Sequence, residues 1–402
     1  MPQLVKCLCQ NNLAGCGACA VRAREEWSAF AAQYPQRTPG QLIEQAIEQD
    51  RAIVVLGILQ NTDINVNEAC DPQRYGSVSP LMTALRAGNG RIVALIAGQP
   101  LFDLAQSLPA YERWSWVRHA SLEVLQQYLG IPGSDVNQAD GNGKTLLHEV
   151  VYDLRGQGKL SELLSQPGIR IDAKQVDGTS PLYHAGLAEN ASAFGRLLEE
   201  GADVNNRNND NLWTILICAV AENRIAIAEQ LLGWHGIEIN AADDIQNTAL
   251  HIAAEGGRTR IVELLLQHPE IQINPKNHMG WTPLSKAAFF GHVEVVRLLL
   301  ERPELEVNFV DQDRQTPLFH AASTGNLETV SVLLADARTN IAITNRPARH
   351  TALDVANALG FTAISELIRQ HRGGTDELSP RDAYVEREVQ SHAVGFIRPR
   401  RE

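Results

Sequence analysis

The sequence predicts an all-α fold, a solenoid of helix-turn-helix repeats joined by short β-hairpin-like loops, and three observations carry it. A seven-residue signature begins at Thr145, Ser180, Thr214, Thr248, Thr282, Thr316 and Thr351, at steps of 34 or 35 residues. A second apolar run follows in each unit, as in Ile261-Val262-Glu263-Leu264-Leu265-Leu266 and Val295-Val296-Arg297-Leu298-Leu299-Leu300. Capping and turn residues recur at fixed places in every unit.

The elements of one unit follow in order. Thr or Ser at the signature start is a natural N-cap, and Pro181, Pro283 and Pro317 stand in the first helical turn, where a missing N–H costs nothing. Gly257, Gly291 and Gly325 stand where that helix must stop. The second apolar run is the second helix, and a polar stretch ending in Val-Asn or Ile-Asn leads to the next loop, where Gly178 and Gly280 suit a tight turn with positive φ. Each helix pair is too small to bury its own apolar face, so it is stable only by stacking on its neighbours, and the period implies one continuous core.

The best copies read Thr248-Ala249-Leu250-His251-Ile252-Ala253-Ala254, Thr282-Pro283-Leu284-Ser285-Lys286-Ala287-Ala288 and Thr316-Pro317-Leu318-Phe319-His320-Ala321-Ala322. This pattern resembles the ankyrin repeat. The resemblance implies that the repeated Thr, with His148 and His251, hydrogen-bonds within and between repeats. It also implies that the loops and first helices line a concave surface whose variable residues meet a partner. An active site needs different residues converging once, whereas these recur at one structural position, so they are expected to be scaffolding.

Four segments are expected. Residues 1–37 are a Cys-rich stretch and a capping helix over 22–33. Residues 38–135 are degenerate repeats, in which Thr38-Pro39-Gly40-Gln41-Leu42 and Ser79-Pro80-Leu81-Met82 keep the signature start. A disguised unit there is expected to have helices over Glu112–Ala120 and Leu122–Leu129, with Trp114 and Trp116 where small residues are usual. Residues 136–372 are the regular repeats, and 373–402 a flexible tail.

Composition narrows the function. A net charge of −12 over 402 residues opposes nonspecific phosphate binding, so no nucleic-acid partner is expected. No stretch approaches a membrane helix. Leu13-Ala14-Gly15-Cys16 matches a lipobox, but Gln10-Asn11-Asn12 interrupts the apolar run a signal peptide needs. Cys7, Cys9, Cys16 and Cys19 supply the four thiolates of a tetrahedral zinc site. The pairs are closer than in common zinc ribbons and no His assists, so the expectation is no metal and no cofactor, with zinc or S-acylation as lesser alternatives. Asp243-Asp244 is expected to be a solvated turn, and no catalytic motif is present.

The changeable positions are then the residue before each signature Thr and the exposed side of each first helix. They give Trp213, Asn247, Trp281 and Gln315, then Glu255, Arg258, Lys286, Phe289 and Phe290, with Met279 beside Trp281. Of these, Trp213, Met279, Trp281, Lys286, Phe289 and Phe290 are the expected protein-binding residues, since aromatics and Met concentrate at interface centres. The expectation is a noncatalytic, monomeric, cytoplasmic scaffold that binds a protein partner on the concave face. The rival is a host-directed bacterial effector, working in the host cytoplasm, whose N-terminal third carries an enzymatic or metal-binding activity.

Overall fold

The computed structural model describes residues 17–62, 64–70, 78–99, 102, 107–108, 113–154 and 157–371. Cys7, Cys9, Cys16, the side chain of Cys19 and the tail 373–402 lie outside the described residues. The described residues form twenty α-helices, one 3-10 turn and no sheet; isolated bridges Arg207–Thr214 and Ala242–Thr248 close two of the loops as hairpins. The chain divides into two compact units, 1–203 and 204–402.

The first unit opens with α1 (Gly17–Gln33), which packs along α3 (Ala52–Asn61). Their close approach needs Gly57, because a Cβ there would lie 2.3 Å from the Ala23 carbonyl oxygen. Thr38 caps α2 (Pro39–Glu48) and Ser79 caps α4 (Pro80–Ala87), each accepting from the backbone N–H three residues on. After α5 (Gly90–Ala97), the described part of the helix expected over Glu112–Ala120, residues 113–120, is not an α-helix; a 3-10 turn, Ser115–Arg118, stands in its place. Bulk is the reason. Trp114 and Trp116 are both buried and pack on Tyr128 at 5.8 and 5.3 Å, filling space that small residues leave to a neighbouring helix. The broken end is capped from a distance: buried Lys159 donates to the carbonyls of Val117 (2.8 Å) and Ala120 (2.7 Å) and pairs with Asp153 at 2.5 Å. The expected α6 (Leu122–Leu129) does form, followed by α7 (Leu146–Val150), α8 (Gln157–Leu164), α9 (Pro181–Leu187) and α10 (Ala191–Glu199).

The second unit repeats one plan. First helices α11 (Ile215–Ala221), α13 (Ala249–Glu255), α15 (Pro283–Phe290), α17 (Pro317–Ser323) and α19 (Ala352–Ala358) pack in sequence. Second helices α12 (Ile225–Leu232), α14 (Thr259–Gln267), α16 (Val293–Leu300), α18 (Leu327–Ala335) and α20 (Thr362–His371) form a parallel row. Leu250, Ala253, Ala254, Ile261, Val262 and Leu265 are fully buried between them.

Three ladders of polar contacts hold successive repeats in register. Loop tips bond backbone to backbone, as in Asp244 N–H to Asn211 (3.0 Å), His278 N–H to Ile245 (3.0 Å) and Gln312 N–H to Met279 (3.2 Å). Below them, the Asn of each Val-Asn or Ile-Asn grips the next loop at two points. Asn274 Nδ2 donates to the Glu304 carbonyl (2.9 Å) while its Oδ1 accepts from Glu306 N–H (2.9 Å), and Asn137, Asn205, Asn240 and Asn308 repeat the arrangement. On the far side, Asn190, Arg258, His292 and Asn326, each just before a second helix, donate into the carbonyls that end the preceding first helix, where no intrahelical N–H reaches. His292 reaches Glu255 (2.8 Å) and Asn326 reaches Phe289 (2.9 Å).

Asp243 departs from expectation. It is buried, not solvated: its Oδ1 accepts from Asn247 N–H (2.6 Å) and Ile245 N–H (3.1 Å), folding the hairpin around itself. Asp244 beside it is exposed.

Candidate protein-binding face

The signature residues build the frame of the site. Thr214, Thr282 and Thr316 accept from the backbone N–H three residues on at 3.2 Å, as an N-cap should. At Thr248 the cap is reciprocal: Thr248 N–H donates to His251 Nδ1 (3.1 Å). Nδ1 is therefore an acceptor, the proton sits on Nε2, and Nε2 donates to the Trp281 carbonyl of the next repeat (2.9 Å). Burial, the largest influence, lowers the pKa of His251 to about 4, so the ring is neutral and serves as a cross-repeat link. His148 repeats this, pairing with Thr145 N–H (3.1 Å) and the Thr179 carbonyl, and burial likewise lowers it to about 4. The expected scaffolding role of both histidines has this geometry.

Trp281 is thereby fixed through its backbone. Its carbonyl accepts from His251 and from Asn277 N–H (3.0 Å), and its own N–H donates to Asn277 Oδ1 (3.0 Å). The indole projects onto the rings of Phe289 (5.1 Å between centroids) and His320 (4.3 Å). Phe290 packs edge-on against Phe289 at 5.1 Å and stacks on His292 at 6.3 Å, with planes 19° apart. Lys286 lies 5.7 Å from the indole centroid and pairs with Glu255 at 2.7 Å. Beneath them His320 Nε2 is 3.1 Å from Asp311 Oδ2, off the line of a hydrogen bond, and both side chains are buried.

Four of the six expected residues, Trp281, Lys286, Phe289 and Phe290, thus meet in one cluster. Met279 sits on the adjoining loop tip, exposed. Trp213 stands apart: it is half-buried, its N–H is held by Asn208 Oδ1 (2.8 Å), and no ring contact joins it to the cluster among the described residues. Trp281 and Phe289 are half-buried and spend much of their surface on His320 of the next repeat, while Phe290 is exposed. Sequence reasoning missed His320 and Asp311. The available signal was position, since His320 follows Thr316 at the same step at which Lys286 follows Thr282.

A second polar cluster lies in the first unit. Tyr152 Oη donates to His184 Nδ1 (2.5 Å), His184 Nε2 meets Thr179 Oγ1 (2.9 Å), and Thr179 Oγ1 donates to Asp177 (2.6 Å). Burial and then the Lys144 charge lower the pKa of His184 to about 4. Arg118 covers the Tyr152 ring at 4.4 Å and, with Lys144, pairs with buried Glu149. Among the described residues no three His, Cys, Asp or Glu side chains group as a metal site, and no helix is long and apolar enough to cross a membrane.

Comparison with known proteins agrees with this architecture. The family described as ankyrin repeats in three copies matches residues 154–243 and 216–311, and the single ankyrin repeat matches 313–346. The nuclear factor NF-kappa-B p105 subunit of Gallus gallus is 28% identical over 138 residues, which is 34% of this chain and 14% of that protein. This chain thus spans far less than two thirds of that relative.

Proposed function

Residues 154–346 being ankyrin repeats, a module of protein–protein interaction, we propose that the chain is a noncatalytic scaffold whose loop-and-first-helix face holds a protein partner around Trp281, Phe289 and Phe290. One observation carries the proposal. Phe290 presents an exposed ring on a base of Phe289, Trp281 and His320 whose backbone is pinned on both sides, so an apolar anchor is held ready for contact with little entropy left to lose. Exposed apolar rings bordered by Lys286, Glu255 and His292 have the make-up of an interface centre with a polar rim. In this reading the chain works as a monomer in the cytoplasm and holds no nucleic acid. The described residues of 38–97 form two helix pairs, α2 with α3 and α4 with α5, whose first helices Thr38 and Ser79 cap, which favours a longer repeat array over a separate catalytic domain there.

The test is capture on the immobilised full chain, wild type against Phe290→Ser, followed by identification of the proteins retained. A partner retained by the wild type and lost from the folded variant supports the proposal. Equal retention by both moves the interface elsewhere.

A further inference from the structure

The repeat positions that build the aromatic cluster of the second unit carry a different chemistry in the first. Lys144 stands just before Thr145 as Trp281 stands before Thr282, and Tyr152 follows Thr145 at the step at which Phe289 follows Thr282. Glu149 takes the place of Lys286, and His184, in the repeat that follows, takes that of His320. The rings keep the arrangement, with Tyr152 lying 5.6 Å from His184 as Phe289 lies 6.0 Å from His320. Arg118 belongs to the same register: it precedes Ser121, the N-cap of α6, by the step at which Phe289 precedes His292.

Two cations share one buried carboxylate here. Glu149 Oε2 accepts from Arg118 Nε and Glu149 Oε1 pairs with Lys144 Nζ at 2.5 Å, so the two cationic heads are held side by side. The other carboxylates nearby have their own donors: Asp153 has Lys159 (2.5 Å), Asp177 has Thr179 (2.6 Å), and Asp140 has the N–H groups of Asn142 (2.8 Å) and Lys144 (2.9 Å). His184 registers the balance. After burial, its largest influence, the Lys144 charge acts on its pKa more strongly than the opposing Asp177, and Arg118 adds to Lys144.

Arg118 has donors that the network leaves unused. Its guanidinium lies over the Tyr152 ring at 4.4 Å, and the Tyr152 hydroxyl is itself tied to His184 Nδ1 (2.5 Å). The Arg118 side chain is 41% exposed, and neither Nη donates a hydrogen bond among the described residues. A guanidinium fixed by stacking and by Nε presents its Nη pair as a planar fork, the shape that grips an oxyanion at two oxygens. Lys144 Nζ beside it carries three N–H donors and gives one direction to Glu149. Groups already anchored lose little entropy on binding.

We propose that Arg118 and Lys144, set on Tyr152 and Glu149, bind an oxyanion side chain of a protein partner, either the carboxylate of an acidic residue or the phosphoryl group of a phosphorylated one. The proposal rests on the reading that these repeat positions meet a protein, and it adds a second contact with its own chemistry: an anion in the first unit where the second unit offers rings.

The probes are three fluorescein-labelled heptapeptides, Gly-Gly-Ser-X-Ser-Gly-Gly with phosphoserine, glutamate or serine at X, titrated into the full chain by polarisation. Saturable binding of an acidic probe is expected, weakening as salt rises, with none of the serine probe; the tighter acidic probe identifies the oxyanion. Arg118→Gln and Arg118→Lys should each weaken binding about tenfold, the latter because a point charge does not replace the fork. Arg196→Gln removes an exposed cation elsewhere in the unit and should change nothing. Thermal unfolding of each variant checks folding, and Glu149 keeps Lys144 as its partner in both Arg118 variants. Equal binding of the three probes, no binding of either acidic probe, or full binding by either folded Arg118 variant overturns the site. Phe290→Ser separates the two readings, since it lies outside this cluster and should bind the probe as the wild type does. Equal partner retention by Phe290→Ser beside a working fork removes the aromatic face alone; an idle fork with the partner lost from Phe290→Ser removes this site alone.

Discussion

His251 is bonded at both ring nitrogens in a dry site, and His148 and His184 are similarly placed. Their folded-state pKa of about 4 lies below the ordinary value of 6.5. The unfolded chain therefore takes up protons first. Stability is full above about 6.5 and falls as the pH drops toward 4, with a slope of at most about 1.4 kcal/mol per pH unit for each histidine. Urea unfolding between pH 7 and 4 checks this. His251→Gln keeps a capping-box partner without the titration and should flatten the curve; an unchanged curve would show that other groups carry it. Asp172 gives a second residue-level test. It stands where Asn137, Asn205 and Asn240 clamp the next loop, but it accepts only from Asp203 N–H (2.8 Å), and register places the Gly201 carbonyl where the missing amide would donate. Asp172→Asn should add about 1 kcal/mol in urea unfolding, the value of one net hydrogen bond; a loss of stability would contradict the register. At this scale the caps were legible in the sequence, because Thr and Pro repeat there by type. The donors before four of the second helices were not, since Asn190, Arg258, His292 and Asn326 do one job with three side-chain types.

At the scale of elements, apolar spacing located the helix pairs of the regular repeats, because a stacked helix must bury one stripe. The 3-10 turn at Ser115–Arg118 was not legible. A pattern of apolar positions does not reveal that two indoles consume the volume of a helix, nor that Lys159, some forty positions on, caps the broken end. Leu265 tests the stacking. It is fully buried between α13 and α14 and their neighbours, so Leu265→Ala should cost about 2–5 kcal/mol. Hydrogen exchange should show adjacent repeats loosening with it, as nearest-neighbour coupling requires. Protection lost in one repeat alone would contradict that coupling. Trp281 also belongs here: its contact with His320 ties two repeats, so Trp281→Ala should cost about 1–3 kcal/mol of stability in addition to any effect on binding. The sequence does not show this, because a loop position does not reveal that the ring reaches the next repeat.

For the whole molecule, residues 154–346 match ankyrin repeats, and the proposal places a protein partner on the aromatic cluster. How many of the expected contact residues converge could not be read from the sequence, which marks positions free of the repeat but not which neighbours fill them; Trp213 and Trp281 share one loop position, yet among the described residues only Trp281 meets other rings. The central claim is best tested through Phe290, whose ring is exposed and whose loss should leave folding intact. The measurement is calorimetric titration of the captured partner into the full chain, wild type and Phe290→Ser, with thermal unfolding of both as control. The account predicts at least tenfold weaker binding, as an interface anchor loses about 2 kcal/mol or more on truncation, with an unchanged melting temperature. Equal affinity in two equally stable proteins would contradict it.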